Sequence, residues 1–169
     1  SILCCDNIRG NGKMLRRSLL AWLNAAGEAE LSAWVADHVT FPCSMVDRIT
    51  PRTTPALIDE AEALFPGKAH SPIHSEDYIQ WVLEDNFASS MPDLTRAGVE
   101  IVKDVDPYEE AKIRILNGGH TGLAYLGALA GHATFDEAMR DADLRRHFDG
   151  LETQEVLPGL QLELPFDRA

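Results

Sequence analysis

The chain has 169 residues, enough for one ordinary domain with a core, and its apolar (45%) and charged (25%) fractions are those of a globular protein in water. A formal net charge of −12 repels nucleic acid and anionic membrane surfaces, so neither is expected as a partner. Three cysteines without framework spacing argue against a secreted disulfide scaffold, no C-x-x-C pair marks structural zinc, and no signal peptide or bilayer-length apolar run is read, so a reducing cytoplasm is expected.

Taken in chain order, Ile2–Cys5 is a continuous apolar run of the kind found in buried strands. Asp6–Gly12, with two Gly and two Asn, is a loop. Asn11 is placed to cap a helix from about Lys13, carrying Met14, Leu15, Leu19, Leu20, Trp22 and Leu23, with Gly27 as its stop. A second helix is predicted over Ala29–His38, with Leu31, Trp34 and Val35 on one face. Val39–Val46 reads as strand and loop, broken at Pro42. Asp47–Pro55 is irregular, and Thr54-Pro55 opens a short helix over Ala56–Leu64, ended by Pro66-Gly67. Tyr78–Glu84 and Val99–Val102 are predicted strands. The character then becomes helical, from Asp106 as N-cap and Pro107 at N1 to about Gly131, with shorter helices over Phe135–Arg140 and Asp143–Phe148. An α/β part, about 1–105, thus passes into an all-α part, 106–169. The three tryptophans, Trp22, Trp34 and Trp81, sit in apolar patterns and are expected in the core. The abrupt start at Ser1 reads as a piece of a longer protein.

The helix after Pro107 carries the densest chemistry. On a wheel at about 100° per residue, with Lys112 at zero, Glu109 falls near 60°, His120 near 80° and Asn117 near 140°, on one arc that also holds Ile113. Gly118 and Gly119 each cost roughly 1 kcal/mol of helix stability relative to Ala, so something is expected to approach that backbone closely. A desolvated lysine can act as general base toward an alcohol proton. An asparagine amide can donate to a developing alkoxide. A histidine can hold the substrate hydroxyl, and a carboxylate can pass the proton on. The set suits alcohol–carbonyl interconversion by hydride transfer. The competing reading is a solvated helix face.

Three stretches together resemble one family. Lys112-Ile113-Arg114-Ile115-Leu116-Asn117-Gly118-Gly119-His120 is similar to the signature of polyol-specific long-chain dehydrogenases, the mannitol dehydrogenase family. Cys5-Asp6-Asn7-Ile8-Arg9-Gly10-Asn11-Gly12 resembles its strand-loop, and Phe41-Pro42-Cys43-Ser44-Met45-Val46-Asp47-Arg48-Ile49-Thr50-Pro51 resembles its Ser-Met-Val-Asp stretch. The resemblance implies an α/β fold: the latter part of a Rossmann-like dinucleotide-binding domain followed by the start of an all-α substrate domain. It implies Lys112 as general acid/base, Asn7 and Asn117 as the pair polarising the carbonyl, His120 as the orienting imidazole and Glu109 as the relay carboxylate. Val46 and Asp47 are implied on the cofactor side, with NAD or NADP as cofactor, a polyol or sugar acid and its ketose as substrates, and no metal.

Cys43 departs from the family pattern, where Asn is expected, and reads as a buried small residue. The Gly-rich dinucleotide loop is not found, since Gly10-Asn11-Gly12 lacks the third Gly and the spacing. The 169 residues alone are therefore expected not to turn over, and to associate with the remainder of a parent chain or with themselves. The alternative from another class is a non-catalytic interaction module on the same fold. His70 and His74 have helical metal-ligand spacing, but Pro72 between them breaks a helix and no third ligand is evident.

Overall fold

The computed structural model describes residues 1–67 and 71–160. The chain divides into two compact units, Ser1–Val102 and Lys103–Ala169.

The first unit opens with α1 (Asn11–Ala25) and α2 (Ala29–His38), followed by strand β1 (Ser44–Asp47), α3 (Pro55–Leu64), β2 (Gln80–Glu84), a 3-10 turn at Leu94–Ala97 and β3 (Glu100–Val102). α1 begins after Gly10 and is followed by Gly27, both with positive φ (60° and 79°), where glycine avoids the Cβ penalty. Leu23, Val35 and Phe41 bury an apolar cluster that Leu15, Leu19, Leu20 and Val39 flank. α3 starts at Pro55 as expected, with the Thr54 hydroxyl accepting from Leu57 N–H at 3.3 Å.

The sheet has the order β1-β2-β3. β1 and β2 run antiparallel, with Val46 opposite Trp81 and Asp47 opposite Gln80; β2 and β3 run parallel, with Leu83 opposite Ile101. Val82 and Leu83 on the middle strand are fully buried, as a strand covered on both faces must be. Glu84 clamps the start of β1: its carboxylate accepts from Cys43 N–H at 2.8 Å, and its N–H donates to Cys43 O at 2.9 Å.

The expected strand over Ile2–Cys5 joins no sheet among the described residues. Ile2 N–H donates to Thr40 O at 3.0 Å, and the Cys4 carbonyl is taken by the side chains of Asn11 and Ser44 instead of a neighbouring strand. The tryptophans also depart from expectation. Trp22 and Trp34 are more than half exposed, and on α2 only Val35 of the expected face is buried. A hydrophobic helical stripe sets which face turns inward, while the large ring stays at its border. Trp34 stacks on His38, with ring centroids 5.2 Å apart.

The second unit is helical: α4 (Asp106–Ala111), a π-helical stretch π1 (Lys112–Asn117), α5 (Gly118–Leu129), α6 (Phe135–Arg140), α7 (Ala142–Leu151), a second π-helical stretch π2 (Glu152–Val156) and a short turn α8 (Leu157–Gly159). Asp106 is the first helical residue and Val105 the cap, one position earlier than the sequence suggests. α5 and α6 pack closely because Gly127 faces Ala138: a Cβ at Gly127 would lie 2.7 Å from that of Ala138. Leu123 and Ala138 are the buried centre of this packing. Gly131 ends the α5 region at φ 92°, and the Asp141 carboxylate caps α7 by accepting from Asp143 N–H (2.9 Å) and Leu144 N–H (3.2 Å).

Candidate functional site

In the first unit the site residues lie on a loop and a strand end. Asn7 is exposed in the bend before α1, and Val46 and Asp47 are half-buried at the end of β1. What fixes the loop to the strand is Asn11, fully buried and not the side-chain cap that the sequence suggests. Its amide nitrogen donates among Cys4 O (3.1 Å), Asp6 O (2.9 Å) and Ser44 O (2.9 Å), and its amide oxygen accepts from Gly12 N–H (2.8 Å) and Ser44 N–H (2.9 Å). The Ser44 hydroxyl adds a 2.6 Å bond to Cys4 O. One side chain thus holds both the backbone just before Asn7 and the strand that ends in Val46 and Asp47.

Gly12 is part of the same joint. A Cβ there would run into the carbonyl oxygens of Phe41 and Pro42. The signal for Asn11 and Gly12 was present in the sequence as part of the loop motif, but a capping role hid their function.

Two titrating groups report the local field. Burial pushes the Cys5 thiol up, the adjacent Cys4 adds to it, and a hydrogen bond with Ser44 opposes. The Tyr78 hydroxyl is raised by burial and then by the carboxylates of Asp47, Glu100 and Glu76, so the end of β1 is an acidic neighbourhood. Cys43 is a buried free cysteine, as read from the sequence. His70 lies outside the described residues, and no three metal-ligating side chains converge among those described.

In the second unit the motif residues share one continuous helical run. Glu109 and Lys112 are buried, at 3% and 5% exposure, whereas Asn117 and His120 are exposed. The competing reading of a solvated helix face therefore does not hold for Glu109 and Lys112. The helical wheel needs correction too. Lys112–Asn117 is π-helical, so residues advance less than 100° each and the arc drawn for an α-helix does not carry through. A π segment of this kind recurs at functional sites because it re-aims side chains within a helix.

The double glycine has a clear role at its second position. A Cβ on Gly119 would collide with the carboxylate of Glu152 and lie 2.8 Å from the Phe148 ring. His120, the next residue, stacks on Phe135 with ring centroids 4.2 Å apart and planes 13° from parallel. Beyond it, His132 pairs with Asp141 at 3.1 Å.

Residues 1–96 match the mannitol dehydrogenase Rossmann domain and residues 104–168 the mannitol dehydrogenase C-terminal domain. The chain is 46% identical to a D-arabinitol 4-dehydrogenase of Ralstonia nicotianae, over 92% of this chain and 34% of that protein. It superposes on a substrate-free D-sorbitol dehydrogenase with a TM-score of 0.86 at 37% identity, covering 98% of this chain and 34% of that one. Against the Pseudomonas fluorescens mannitol 2-dehydrogenase ternary complex with NAD and D-mannitol the TM-score is 0.77 at 38% identity, covering 98% and 33%. The chain thus spans about a third of the length of these relatives. With both family domains matched in order along nearly its whole length, the chain belongs to the mannitol dehydrogenase family of oxidoreductases.

Proposed function

We propose that this chain carries the catalytic centre of an NAD(P)-dependent oxidoreductase that interconverts a polyol or sugar acid and its ketose without a metal, with Lys112 as acid/base. The observation that supports this most is the run Glu109–His120: a buried lysine opens a π-helical stretch that closes on Asn117, and His120 follows within one turn.

The first unit fits one end of a nicotinamide nucleotide. At the half-buried end of β1, the Val46 carbonyl and Asp47 carboxylate offer acceptors suited to the carboxamide and ribose hydroxyls. The Gly10-Asn11-Gly12 turn does not fit the pyrophosphate. Gly12 is closed off by the Phe41 and Pro42 carbonyls, and Gly12 N–H is already spent on Asn11. A phosphate there would meet carbonyl oxygens instead of free N–H groups. When bound, the nicotinamide supplies the hydride-accepting or hydride-donating carbon.

The protein's own part is proton handling and charge stabilisation. In the oxidation direction, the Lys112 amine takes the hydroxyl proton of the substrate. The side-chain amides of Asn7 and Asn117 donate to the oxygen as it develops negative charge and then becomes a carbonyl. They supply the polarisation that a Lewis-acid metal provides in other dehydrogenases. His120 donates to or accepts from the neighbouring hydroxyl and fixes the face of the chain presented. Glu109, three residues before Lys112 on the same helix, passes the proton onward.

Lys112→Met tests the assignment in the full-length polypeptide. We expect kcat to fall by about 10²–10⁴-fold while nicotinamide nucleotide still binds, read by cofactor fluorescence titration. Retained turnover with mannitol, arabinitol and mannonate would overturn Lys112 as the base. No turnover by the unaltered protein with any of them would favour a non-catalytic module of the same fold. The 169 residues alone are expected to be inactive, because the pyrophosphate has no built site within the described residues.

A further inference from the structure

Glu152 has no place in the chemistry above, yet it is one of the most unusual side chains in the molecule. It is 8% exposed, and neither of its buried carboxylate oxygens has a hydrogen-bond partner. It opens the π-helical stretch π2, which continues α7 and packs on π1. Its carboxylate rests on Gly119, at a spot a Cβ would fill. Gly119 lies between Asn117 and His120.

A buried carboxylate that is neither paired nor hydrogen-bonded is held far more cheaply as the neutral acid than as the anion. Charging it would drive it toward water and away from the backbone of Gly119, on which it rests. The charged and titratable groups on the elements around it are Asp143, Arg145, Arg146, His147 and Asp149 on α7, Lys112 and Arg114 on π1, His120 and Tyr125 on α5, and Glu155 on its own stretch. None hydrogen-bonds to Glu152.

We propose that Glu152 is a positioning residue for Asn117 and His120, whose uncharged carboxyl supports the first turn of α5 from beneath and withdraws that support once it ionises. The proposal rests on the assignment of Asn117 and His120 to the substrate. It makes the site sensitive to rising pH through a residue that touches neither substrate nor cofactor. Burial alone raises the Glu152 carboxyl above the ordinary glutamate range, in agreement with this geometry.

The sign follows. Because the folded protein holds the proton more tightly than the unfolded chain, the stability of the neutral packing is complete below the ordinary glutamate value of about 4.3 and is lost as pH rises toward the raised folded value. Glu152→Gln keeps the volume and cannot ionise. Thermal midpoints of the full-length wild type and Glu152→Gln are expected to converge near about pH 4 and to separate as pH rises, the wild type falling below the variant. In polyol oxidation, the ratio of variant to wild-type kcat is expected to climb several-fold as pH rises from the ordinary glutamate range through the raised Glu152 value, with KM moving in the opposite direction. A residue that only packs would give a flat ratio.

A readout independent of turnover separates this proposal from the functional assignment beneath it. The His120 imidazole lies in the ring current of Phe135. Its carbon-bound proton resonances should follow the ionisation of Glu152 in the wild type, and titrate without that step in Glu152→Gln. If the enzyme is inactive on every polyol but the His120 resonances and thermal midpoints behave as described, the substrate assignment fails and the support by Glu152 stands. Parallel thermal curves, or a His120 titration unchanged by Glu152→Gln, overturn the proposal whatever the activity. Gly119→Ala gives a second handle: it should displace the carboxyl and perturb His120 in the wild type, and do so less in Gly119→Ala/Glu152→Ala.

Discussion

The two units hold their candidate site residues by opposite means. In the first, Asn7, Val46 and Asp47 stand on irregular chain and a strand end, and one buried amide, Asn11, ties these pieces together through main-chain atoms. In the second, Glu109, Lys112, Asn117 and His120 stand on one uninterrupted helical run, and their directions depend on how that helix winds. The first arrangement is specified by hydrogen bonds at single positions. The second is specified by helix path and by what packs beneath it.

Substitutions at the joint of the first unit should therefore be the most costly. Gly12→Val is expected to destabilise the unit by about 3 kcal/mol or more, since its side chain must displace two carbonyls that have nowhere to go. The three tryptophans of these 169 residues all lie in the first unit, so tryptophan fluorescence of the 169-residue chain during urea unfolding reads that unit. A second unit that melts together with it would break the distinction drawn here. Asn11→Asp should cost about 2 kcal/mol, because a carboxylate replaces the donor that faces the Cys4, Asp6 and Ser44 carbonyls. It should also lower kcat at least about tenfold through Asn7, with Lys112 untouched. A loss of stability without loss of kcat would show that Asn7 does not depend on this joint. In the second unit, Gly127→Val is expected to cost about 1.5 kcal/mol by prising α5 from α6 at Ala138, seen in far-ultraviolet circular dichroism and not in tryptophan emission.

The same contrast explains what was legible in the sequence. Contiguous motifs carried the family, and they carry the candidate site residues of both units as short runs in which neighbours in sequence stay neighbours in space. Short helices were also legible: Ala29–His38 and Phe135–Arg140 fall where the sequence places them, although neither carries a side-chain cap. What failed was whatever depends on distant partners. Ile2–Cys5 has the composition of a buried strand, but its carbonyls are claimed by Asn11 and Ser44 from elsewhere in the chain. The wheel around Lys112 assumed α-helical winding, and nothing in Lys112–Asn117 announces the i→i+5 pattern. Gly119 did signal a close approach. That Glu152 makes it could not be read, because the pairing joins residues 33 positions apart without any periodic pattern.

The smallest expected effect sharpens the comparison at the surface of the second unit. Asp141 caps α7 and pairs with His132, and its carboxyl is held below the ordinary aspartate range by the Leu144 N–H bond, then by His132 and by Asp143 N–H. A depressed folded value means that its contribution is present above the ordinary aspartate range and fades as pH falls through the folded value. Asp141→Asn keeps the cap oxygen but loses the charge. Its thermal midpoint should lie slightly below that of the wild type at neutral pH, with the gap closing on acidification. The Glu152→Gln difference runs the other way, opening as pH rises. One helical unit would then carry two carboxyl groups with opposite pH dependences, a half-buried one that needs its charge and a buried one that needs its proton. Finding both slopes with the same sign would mean that the unit responds to overall charge and not to these two contacts.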